Sequence, residues 1–517
     1  MMATAALTVP ETLAGAVASP SLRSDPATLA LYSHDVYSSG PEPRAVFRPT
    51  SVEELARGVA AATAGGLAIV PRGGGMSYTG GYLSPTPDFI LVDTAGLDRI
   101  VDIDETDMTA TVEAGVTWDA LRRALQPRGL RVKAWGTLSG INATVGGGMS
   151  QNGVFWGAGG GTVVDSALAF DVVLADGRVI STGSAFFRPY GPDLTGLFAA
   201  DCGAFGIKAR VTLRLVREGA GLAYGSFAFD TPAAIFGAMS AIAREGLAAE
   251  SFGFDPFLQA QRMKRESLTA DAKSLLTMMR AQGSLLKGLK EGAKVALAGR
   301  SFLDDVPFSL HCIAERRREG EAAADMADIE RIVAGAGGRT IENTIPKILR
   351  ANPFPPVNSM VGPAGERWVP VHGFVRQSRL VETWAAIQAL YAENAAEMSS
   401  HGVEAGAMLA AVSPQACLIE PVFLWPEALN PLHRHAVEAG HLAKLKGFAA
   451  NADSSALVHR LRAQIVEIFT RAGAIHLQIA RTYPLKASHD APAWGLLETL
   501  KHAVDPRGLM NPGSLGL

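Results

Sequence analysis

The sequence predicts an α+β protein of two or three domains. Its 517 residues exceed what one hydrophobic core normally serves. Residues 51–217 are glycine-rich and alternate helix and hairpin signals, which does not indicate a uniform βαβ dinucleotide fold. Beyond residue 219 longer helical segments alternate with strand-like pieces. We therefore expect one domain at 1–218, a second at 219–465 with helices covering an antiparallel sheet, and a C-terminal segment at 466–517 that returns to the first.

Local patterns define the elements of the first domain. Ser51-Val-Glu-Glu54 is a capping box that starts a helix. Asp176-Gly177 is a strong two-residue hairpin turn. The remaining elements are strands, a hairpin and a short helix: LAIV (67–70), FILVD (89–93), the hairpin at 99–115, the helix TWDALRRAL (117–125), the hairpin strands at 170–182 and GIKARVTLRLV (206–216).

The second domain is predicted from longer patterns. Its helical segments are TPAAIFGAMSAIARE, SRLVETWAAIQALYAENAAEM and LHRHAVEAGHLAKLKGF. Its strand-like segments are FSLHCIAE, RWVPVHGFV and ACLIEPVFLW.

Composition excludes several functional classes. Net charge is −3, which argues against nucleic-acid binding by bulk electrostatics. The three cysteines, Cys202, Cys312 and Cys417, are far apart and odd in number, which favours reduced thiols and a cytoplasmic protein. The N-terminus lacks a signal-peptide pattern, and no apolar run reaches the 18 residues of a membrane span.

Residues 262–300 form a basic segment, with nine Lys/Arg against three Asp/Glu. One interpretation is a solvated helical insertion at the domain edge. The other is an amphipathic surface helix that contacts an electron-accepting partner or lies peripherally on the inner face of a membrane.

The run VPRGGGMSYTGG (70–81) has five glycines directly after a buried strand. It lacks the lysine of a Walker loop, and no helix follows it as a Rossmann fingerprint requires. This leaves a backbone nest for phosphate oxygens, with Arg72 and Ser77 beside it, or a bare glycine turn. Two further glycine-rich segments, 135–162 and 200–207, carry short polar side chains suited to a long polar ligand, and they favour the ligand site over the bare turn.

Together these motifs resemble a known family. PRGGGxSxxGG, TATVEAGVTW, TVGGGMSQNG, GTVVDSALAFDVVLADGRVISTG, GAFGI and the terminal DPRGLMNPGSL are similar, in this order, to the FAD domain of the vanillyl-alcohol oxidase/p-cresol methylhydroxylase (PCMH) superfamily. The resemblance covers 45–217 and 470–517. It implies a two-subdomain PCMH-type FAD domain, FAD as cofactor and an oxidoreductase, and homodimers are common in this superfamily.

The resemblance also implies the FAD-binding residues. The pyrophosphate would lie on the 72–77 loop, and the flavin and ribityl contacts would come from 136–153, 161–165 and 202–207. The expected cofactor residues are Pro71, Arg72, Gly73, Gly74, Gly75, Met76, Ser77, Tyr78, Gly136, Thr137, Leu138, Gly140, Thr144, Gly146, Gly147, Ser150, Gln151, Asn152, Gly153, Thr162, Cys202, Gly203, Gly206, Ile207 and Asn511.

Two departures from the family pattern matter. One covalent branch has a histidine where this chain has Tyr78, so we expect non-covalent FAD, or attachment through a substrate-domain residue. Cys202 stands where many relatives have an acidic residue, and we expect it to be a packing residue. For His433 and His435 a structural or surface role is favoured over a flavin-linking one.

Candidate catalytic residues come from the second domain and the C-terminal segment. Residues 472–485 read as an alternating strand, which places His476 on one face and Arg481 and Tyr483 on the other. We expect His476 or His372 to be the base, and Arg481 and Tyr483 to bind the substrate anion. His372 lies within an apolar strand, as a satisfied core residue or as the base. Glu420 lies in LIEPVFLWP, where a carboxylate should be paired or belong to a site.

The resemblance leaves the substrate open between two branches. D-2-hydroxy acid enzymes grip a carboxylate with arginine and use a histidine base, whereas phenol-oxidising enzymes stabilise a phenolate with a Tyr/Arg cluster. The zinc-binding histidine pair of the first branch is absent here, so no metal is expected and the phenolic substrate is favoured. We expect hydride transfer from a small alcohol to flavin N5, with re-oxidation by oxygen, a cytochrome or a quinone. The alternative is a non-catalytic FAD-fold binding module.

Overall fold

The structure, a computed structural model, describes residues 11–265 and 306–517. The basic segment 262–300 therefore lies almost wholly outside the described residues, and both interpretations of it remain predictions. The strands are β1 Leu22–Arg23, β2 Ala45–Phe47, β3 Ala68–Arg72, β4 Phe89–Asp93, β5 Ile100–Asp104, β6 Thr109–Glu113, β7 Leu130–Val132, β8 Ala167–Val173, β9 Val179–Ser181, β10 Ile207–Arg217, β11 Gly221–Phe229, β12 Glu250–Phe254, β13 Phe308–Arg316, β14 Arg339–Thr340, β15 Arg367–Pro370, β16 Gly373–Arg376, β17 Glu404–Val412 and β18 Ala416–Trp425.

The α-helices of the described ranges lie between and beside these strands. They are α1 Glu11–Ala16, α2 Pro26–Tyr32, α3 Val52–Ala64, α4 Trp118–Leu125, α5 Val145–Gln151, α6 Leu194–Phe198, α7 Pro232–Glu245, α8 Pro256–Arg265, α9 Glu319–Gly335, α10 Thr344–Ala351, α11 Leu380–Glu393, α12 Ala395–Ser400, α13 Pro431–Ala436, α14 Ala439–Leu442, α15 Ala452–Arg471 and α16 Ala491–Val504.

The described strands form three sheets, and the predicted α+β class is confirmed. The first sheet has the order β1-β2-β4-β3, with parallel pairs β2–β4 and β3–β4. The second has the order β5-β6-β10-β8-β9, with β7 beside β10, and its pairs are antiparallel. The third has the order β14-β11-β13-β12-β17-β18-β15, with β16 beside β18, and is antiparallel. The domain boundaries themselves stay a prediction.

The third sheet has two chemically different faces because side chains alternate along each strand. One face packs against α7, α9 and α11, and it includes Leu409 and Ile419 in a large hydrophobic cluster. The opposite face carries Phe254, Ala410 and Leu418, which pack with residues of the second sheet. This second face closes over the glycine-rich segments and so builds one wall of the site.

The C-terminal segment lies against the first sheet. The Ile69 N–H donates to the Leu509 carbonyl over 2.8 Å, and the Asn511 N–H donates to the Ile69 carbonyl over 2.7 Å. Helix α15 runs without interruption across residues 465 and 466, where the sequence pattern suggested a division.

Two predictions about segments that carry candidate catalytic residues are wrong. Residues 472–485 form no strand, apart from an isolated bridge between Ile475 and Phe374. Gln478 and Ala480 have left-handed φ values of 50° and 43°, which breaks strand alternation. His372 is not inside a strand either, since it occupies the gap between β15 and β16.

The capping box at the start of α3 is only half formed. The Ser51 hydroxyl accepts from the Glu54 N–H over 3.1 Å, as predicted. The Glu54 carboxylate instead accepts from the N–H of Thr50 and from the hydroxyl of Ser21, because β1 lies beside this helix end.

Candidate FAD and substrate site

The three glycine-rich segments meet around one cavity of about 670 Å³. Residues 71–78 follow β3, residues 137–155 surround α5, and residues 202–208 lead into β10. The cavity continues to the inner face of the third sheet and to the loop at 352–360. Segments that are far apart in the sequence thus form a single concave site, the usual setting for a cofactor and its substrate.

The loop after β3 offers an anion cradle. Among the described residues, no protein acceptor receives a hydrogen bond from the backbone N–H groups of 73–77. The Tyr82 hydroxyl lies 2.7 Å from the Gly75 carbonyl oxygen and 3.1 Å from that of Ser77, which fixes the loop through its carbonyls. Consecutive free N–H groups in a buried loop are suited to phosphate oxygens.

Arg72 supplies a positive charge at this cradle. Its side chain is buried, its Nε has no partner in the described chain, and its guanidinium lies 4.4 Å from the ring centroid of Tyr32. Since a buried charge normally requires an ionic or hydrogen-bonding partner, a pyrophosphate fits this position.

The glycines are required by close packing as well as by the ligand. A Cβ on Gly74 would overlap the Asn142 carbonyl oxygen, and a Cβ on Gly73 would overlap the Thr144 hydroxyl. Thr144 is the N-cap of α5, where its Oγ1 accepts from the Gly147 N–H over 3.1 Å. The loop after β3 and the start of α5 are therefore in direct contact.

Most of the predicted cofactor residues line the cavity. These are Pro71, Arg72, Gly73, Gly74, Gly75, Met76, Ser77, Tyr78, Thr137, Leu138, Thr144, Gly146, Gly147, Ser150, Gln151, Gly153, Cys202, Gly203, Gly206 and Ile207.

Five predicted cofactor residues lie behind the lining and have structural contacts. Gly136 has a φ of 120° and packs on Trp118, and a Cβ on Gly140 would overlap Phe354. Asn152 is the left-handed C-cap of α5. Thr162 forms a capping box with Asp165, and the Asn511 amide donates to the carbonyls of Gly81 and Cys202. These five residues thus support the backbone around the site instead of lining the cavity.

Cys202 both lines the cavity and has a structural contact behind it. It lines the cavity, yet its Sγ accepts the Ala480 N–H over 3.3 Å, and burial raises the pKa of its thiol to about 12. A thiol held in the neutral form is consistent with the packing role expected for it.

Glu420 lines the cavity from the inner face of the third sheet. Cross-strand register places Phe254, Met408 and Glu420 in one row across β12, β17 and β18, and all three line the cavity. Burial raises the pKa of Glu420 to about 8. The pairing expected for this carboxylate is not observed, since the described residues place no cation within ion-pair distance of it.

Tyr78 and Gln478 lie near Glu420. The Gln478 amide donates to the Tyr78 hydroxyl over 3.1 Å, and both residues line the cavity. The Tyr78 ring meets those of Trp368 and His372 edge-on. Burial and the neighbouring Glu420 raise the pKa of Tyr78 well above its usual value, so this end of the cavity presents neutral hydrogen-bonding groups.

Arg481 is outside the cavity lining. Its guanidinium donates to the carbonyls of Gly80 and Pro512 and to the Asn511 side chain, at 2.6, 2.6 and 2.8 Å. The regular alternation that would have aimed it at a substrate is absent because of the left-handed residues before it. Arg481 thus joins the C-terminal segment to the glycine loop.

His372, His476 and Tyr483 form a cluster beside Glu420. The ring centroids of His476 and Tyr483 are 4.1 Å apart and nearly parallel. Nδ1 of His476 lies 2.8 Å from the His372 carbonyl oxygen, and the Tyr483 hydroxyl accepts the His372 N–H over 3.0 Å. None of the three lines the cavity.

His433 is buried and caps α13 together with Asn430, in agreement with a structural role.

Sequence reasoning missed part of the substrate wall. The loop at 352–360, Phe254, Met408 and Trp368 line the cavity, but only the proline-rich sequence NPFPPVNSM could have drawn attention to the loop. The other three are apolar residues in ordinary strand patterns, and only the strand order shows which of them face the cavity.

None of the helices in the described ranges combines the length and apolar character that a membrane crossing needs.

Comparison with known proteins matches residues 43–183 to the FAD binding domain family. Glycolate oxidase subunit GlcD of Bacillus subtilis (strain 168) is 33% identical over 191 residues, or 36% of this chain. The chain covers only 40% of the length of that relative.

Solved structures show the same fold over nearly the whole chain. p-Cresol methylhydroxylase with substrate bound has a TM-score of 0.72 at 16% identity, and the match covers 99% of this chain and 96% of the other. Alkyldihydroxyacetonephosphate synthase has a TM-score of 0.69 at 14% identity, covering 98% and 85%. Residues 43–183 therefore match the FAD binding domain family, which makes FAD the cofactor, and the chain has the fold of these solved structures.

Proposed function

We propose that the protein oxidises a small, uncharged phenolic alcohol of the 4-hydroxybenzyl type, with Glu420 as the proton acceptor. The observation that supports this proposal is the composition of the cavity. Arg72 and Lys208 are the Lys/Arg residues that line it in the described chain. Arg72 belongs to the phosphate cradle, and Lys208 is paired with Asp201 at 2.5 Å. Among the described lining residues, a substrate carboxylate beside Glu420 would meet a second carboxyl group and no Lys or Arg other than these two, which is unfavourable in a buried site.

The chemistry divides between cofactor and protein. Bound FAD, non-covalent in this proposal, supplies the two-electron acceptor for the hydrogen on the substrate carbon. The Glu420 carboxylate takes the substrate hydroxyl proton, and its raised pKa of about 8 makes it a stronger base than an ordinary glutamate. Trp368, Met408 and Phe254 offer apolar and aromatic surface to a ring.

The Tyr/Arg cluster expected for the phenolic branch is only half supported. Tyr78 and Tyr483 lie close to Glu420 and stay neutral, since burial raises the pKa of Tyr483 to about 12. Arg481 does not join them at the cavity. We therefore assign substrate binding to neutral hydrogen bonds rather than to stabilisation of a phenolate by arginine.

A second candidate function is oxidation of a D-2-hydroxy acid. It is favoured by the similarity of the FAD domain to a glycolate oxidase subunit. Anaerobic stopped-flow mixing of the FAD-loaded protein with 4-hydroxybenzyl alcohol, vanillyl alcohol, D-lactate and D-2-hydroxyglutarate separates the two. We expect the first pair to bleach the flavin. Bleaching by the second pair alone would support the hydroxy acid function, and bleaching by none would refute both.

A further inference from the structure

His372 lies directly across from Glu420 in the third sheet. Pro370 pairs with Val422 and Gly373 pairs with Ile419, so the register places His372 opposite Glu420 at the gap between β15 and β16. Opposed positions in an antiparallel pair project to the same face, about 5 Å apart at Cβ. Within the third sheet, the His372 imidazole is therefore the titratable group placed directly beside Glu420.

The imidazole of His372 is completely buried, and neither Nδ1 nor Nε2 has a hydrogen-bond partner among the described residues. A buried polar atom without a partner costs about 1–3 kcal/mol. Burial holds the pKa of His372 well below its usual range, so the resting ring is neutral, with one donor and one acceptor nitrogen free.

A second imidazole leads from His372 toward the surface. His476 contacts the His372 carbonyl through Nδ1 and stacks on Tyr483. It is half-buried, and its neighbour Ile475 is 59% exposed. Because the carbonyl requires a proton on Nδ1, Nε2 of neutral His476 is a free acceptor.

The other charged or titratable groups that face this pair are Tyr78, Tyr483 and Arg462. The two tyrosines are neutral, as described above. Arg462 donates to the Tyr78 carbonyl over 2.9 Å from α15, and its charge opposes protonation of His372. Protonated His372 is thus less favourable than protonated Glu420, so His372 can pass a proton on but does not store one.

We propose that His372 and His476 carry the substrate proton from Glu420 to solvent. This inference rests on the proposed function. Glu420 receives the proton from the substrate hydroxyl and passes it to the free acceptor nitrogen of His372. The N–H proton on the other ring nitrogen leaves through an ordered water to Nε2 of His476 and then to bulk water. Each step moves one proton and no electrons, and it returns Glu420 to its carboxylate form.

The test follows flavin bleaching and proton release together, with 4-hydroxybenzyl alcohol and a pH-indicator dye in the same anaerobic stopped-flow trace. The wild-type protein should release its proton at the rate of bleaching. In His372→Gln, bleaching in the first turnover should stay within about threefold, while proton release should lag at least tenfold. His476→Asn should show the same lag, since its amide can keep the bond to the His372 carbonyl but cannot relay a proton.

His489→Asn is the matched control, because this histidine is exposed and its ring faces Trp494; proton release in this variant should stay at the wild-type rate. If His372→Gln fails to fold, His476→Asn decides the matter. Concurrent release in the folded variants would overturn the pathway while leaving the proposed function intact. An absence of bleaching in the wild-type protein would overturn the proposed function and, with it, the pathway.

Discussion

Glu420→Gln removes the base while keeping the shape and hydrogen-bonding capacity of the side chain. General-base catalysis typically contributes about 10²–10⁴-fold, so the rate of flavin reduction by 4-hydroxybenzyl alcohol should fall by about that factor. FAD binding should be unchanged, since Glu420 lies on β18 of the third sheet whereas the phosphate cradle is the loop after β3.

The pH dependence follows from the raised pKa of Glu420. With a pKa of about 8, the carboxylate form makes up about 9% of the protein at pH 7, about half at pH 8 and about 91% at pH 9. Because the carboxylate is the active form, flavin reduction should rise about fivefold from pH 7 to pH 8 and level off above pH 9. In Glu420→Gln this rise should disappear.

The same shift predicts an effect on stability. The folded-state pKa of about 8 is above the ordinary value of 4.5, so the wild-type protein loses stability as the pH rises between these values. At about 1.4 kcal/mol per pH unit the upper limit is about 5 kcal/mol, reduced where water enters the cavity. Thermal unfolding should therefore show Glu420→Gln to be more stable than the wild type at pH 9 and equal to it near pH 4.

Stopped-flow flavin reduction between pH 6 and 10 is the assay for the activity change. Glu393→Gln is the control, because Glu393 is exposed at the end of α11 and should keep the wild-type profile. A wild-type rate that is flat across this range, or a Glu420→Gln rate within threefold of the wild type, would refute the assignment of Glu420 as base.

Three further changes test other parts of the account. Gly74→Ala should abolish FAD binding in equilibrium titration, since the new methyl group overlaps the Asn142 carbonyl. The control Gly237→Ala, in open space on α7, should keep FAD and stabilise the fold by about 0.5–1 kcal/mol. Equal FAD affinities of the two variants would contradict the assignment of the loop as the phosphate cradle. Arg481→Ala should lower the unfolding free energy by about 2–4 kcal/mol and leave the KM for the alcohol within about twofold. A large rise in KM at unchanged stability would support the predicted role of Arg481 in substrate binding instead. Acid precipitation should release FAD intact into the supernatant because Tyr78 replaces a linking histidine; flavin retained in the pellet would show covalent attachment.

The FAD half of the site could be predicted from the sequence because its requirements are local. Gly73 and Gly74 are needed by close backbone approach, which excludes every other side chain and so leaves a visible pattern. The strands beside them also follow from short apolar runs. The order of these segments along the chain was sufficient to identify the cofactor.

The substrate half could not be predicted to the same depth because it depends on long-range register. Whether Glu420 faces the cavity is decided by the pairing of β18 with β17 and β15. The alternation around Arg481 looked like a strand, but the N–H of Gln478 bonds to the Gln151 carbonyl and that of Ala480 to Cys202. Beyond the bridge at Ile475, this segment pairs with no strand of the described chain. Tertiary contacts overrode the local pattern here.

The most direct test of the central claim, that the substrate end of the cavity selects an uncharged alcohol, compares two compounds that differ by one carboxylate. FAD-loaded protein is mixed anaerobically with 4-hydroxybenzyl alcohol or with 4-hydroxymandelate, and the rate of flavin bleaching is measured at pH 8. The account predicts that the alcohol reduces the flavin at least a hundredfold faster. Equal or faster reduction by 4-hydroxymandelate would contradict it.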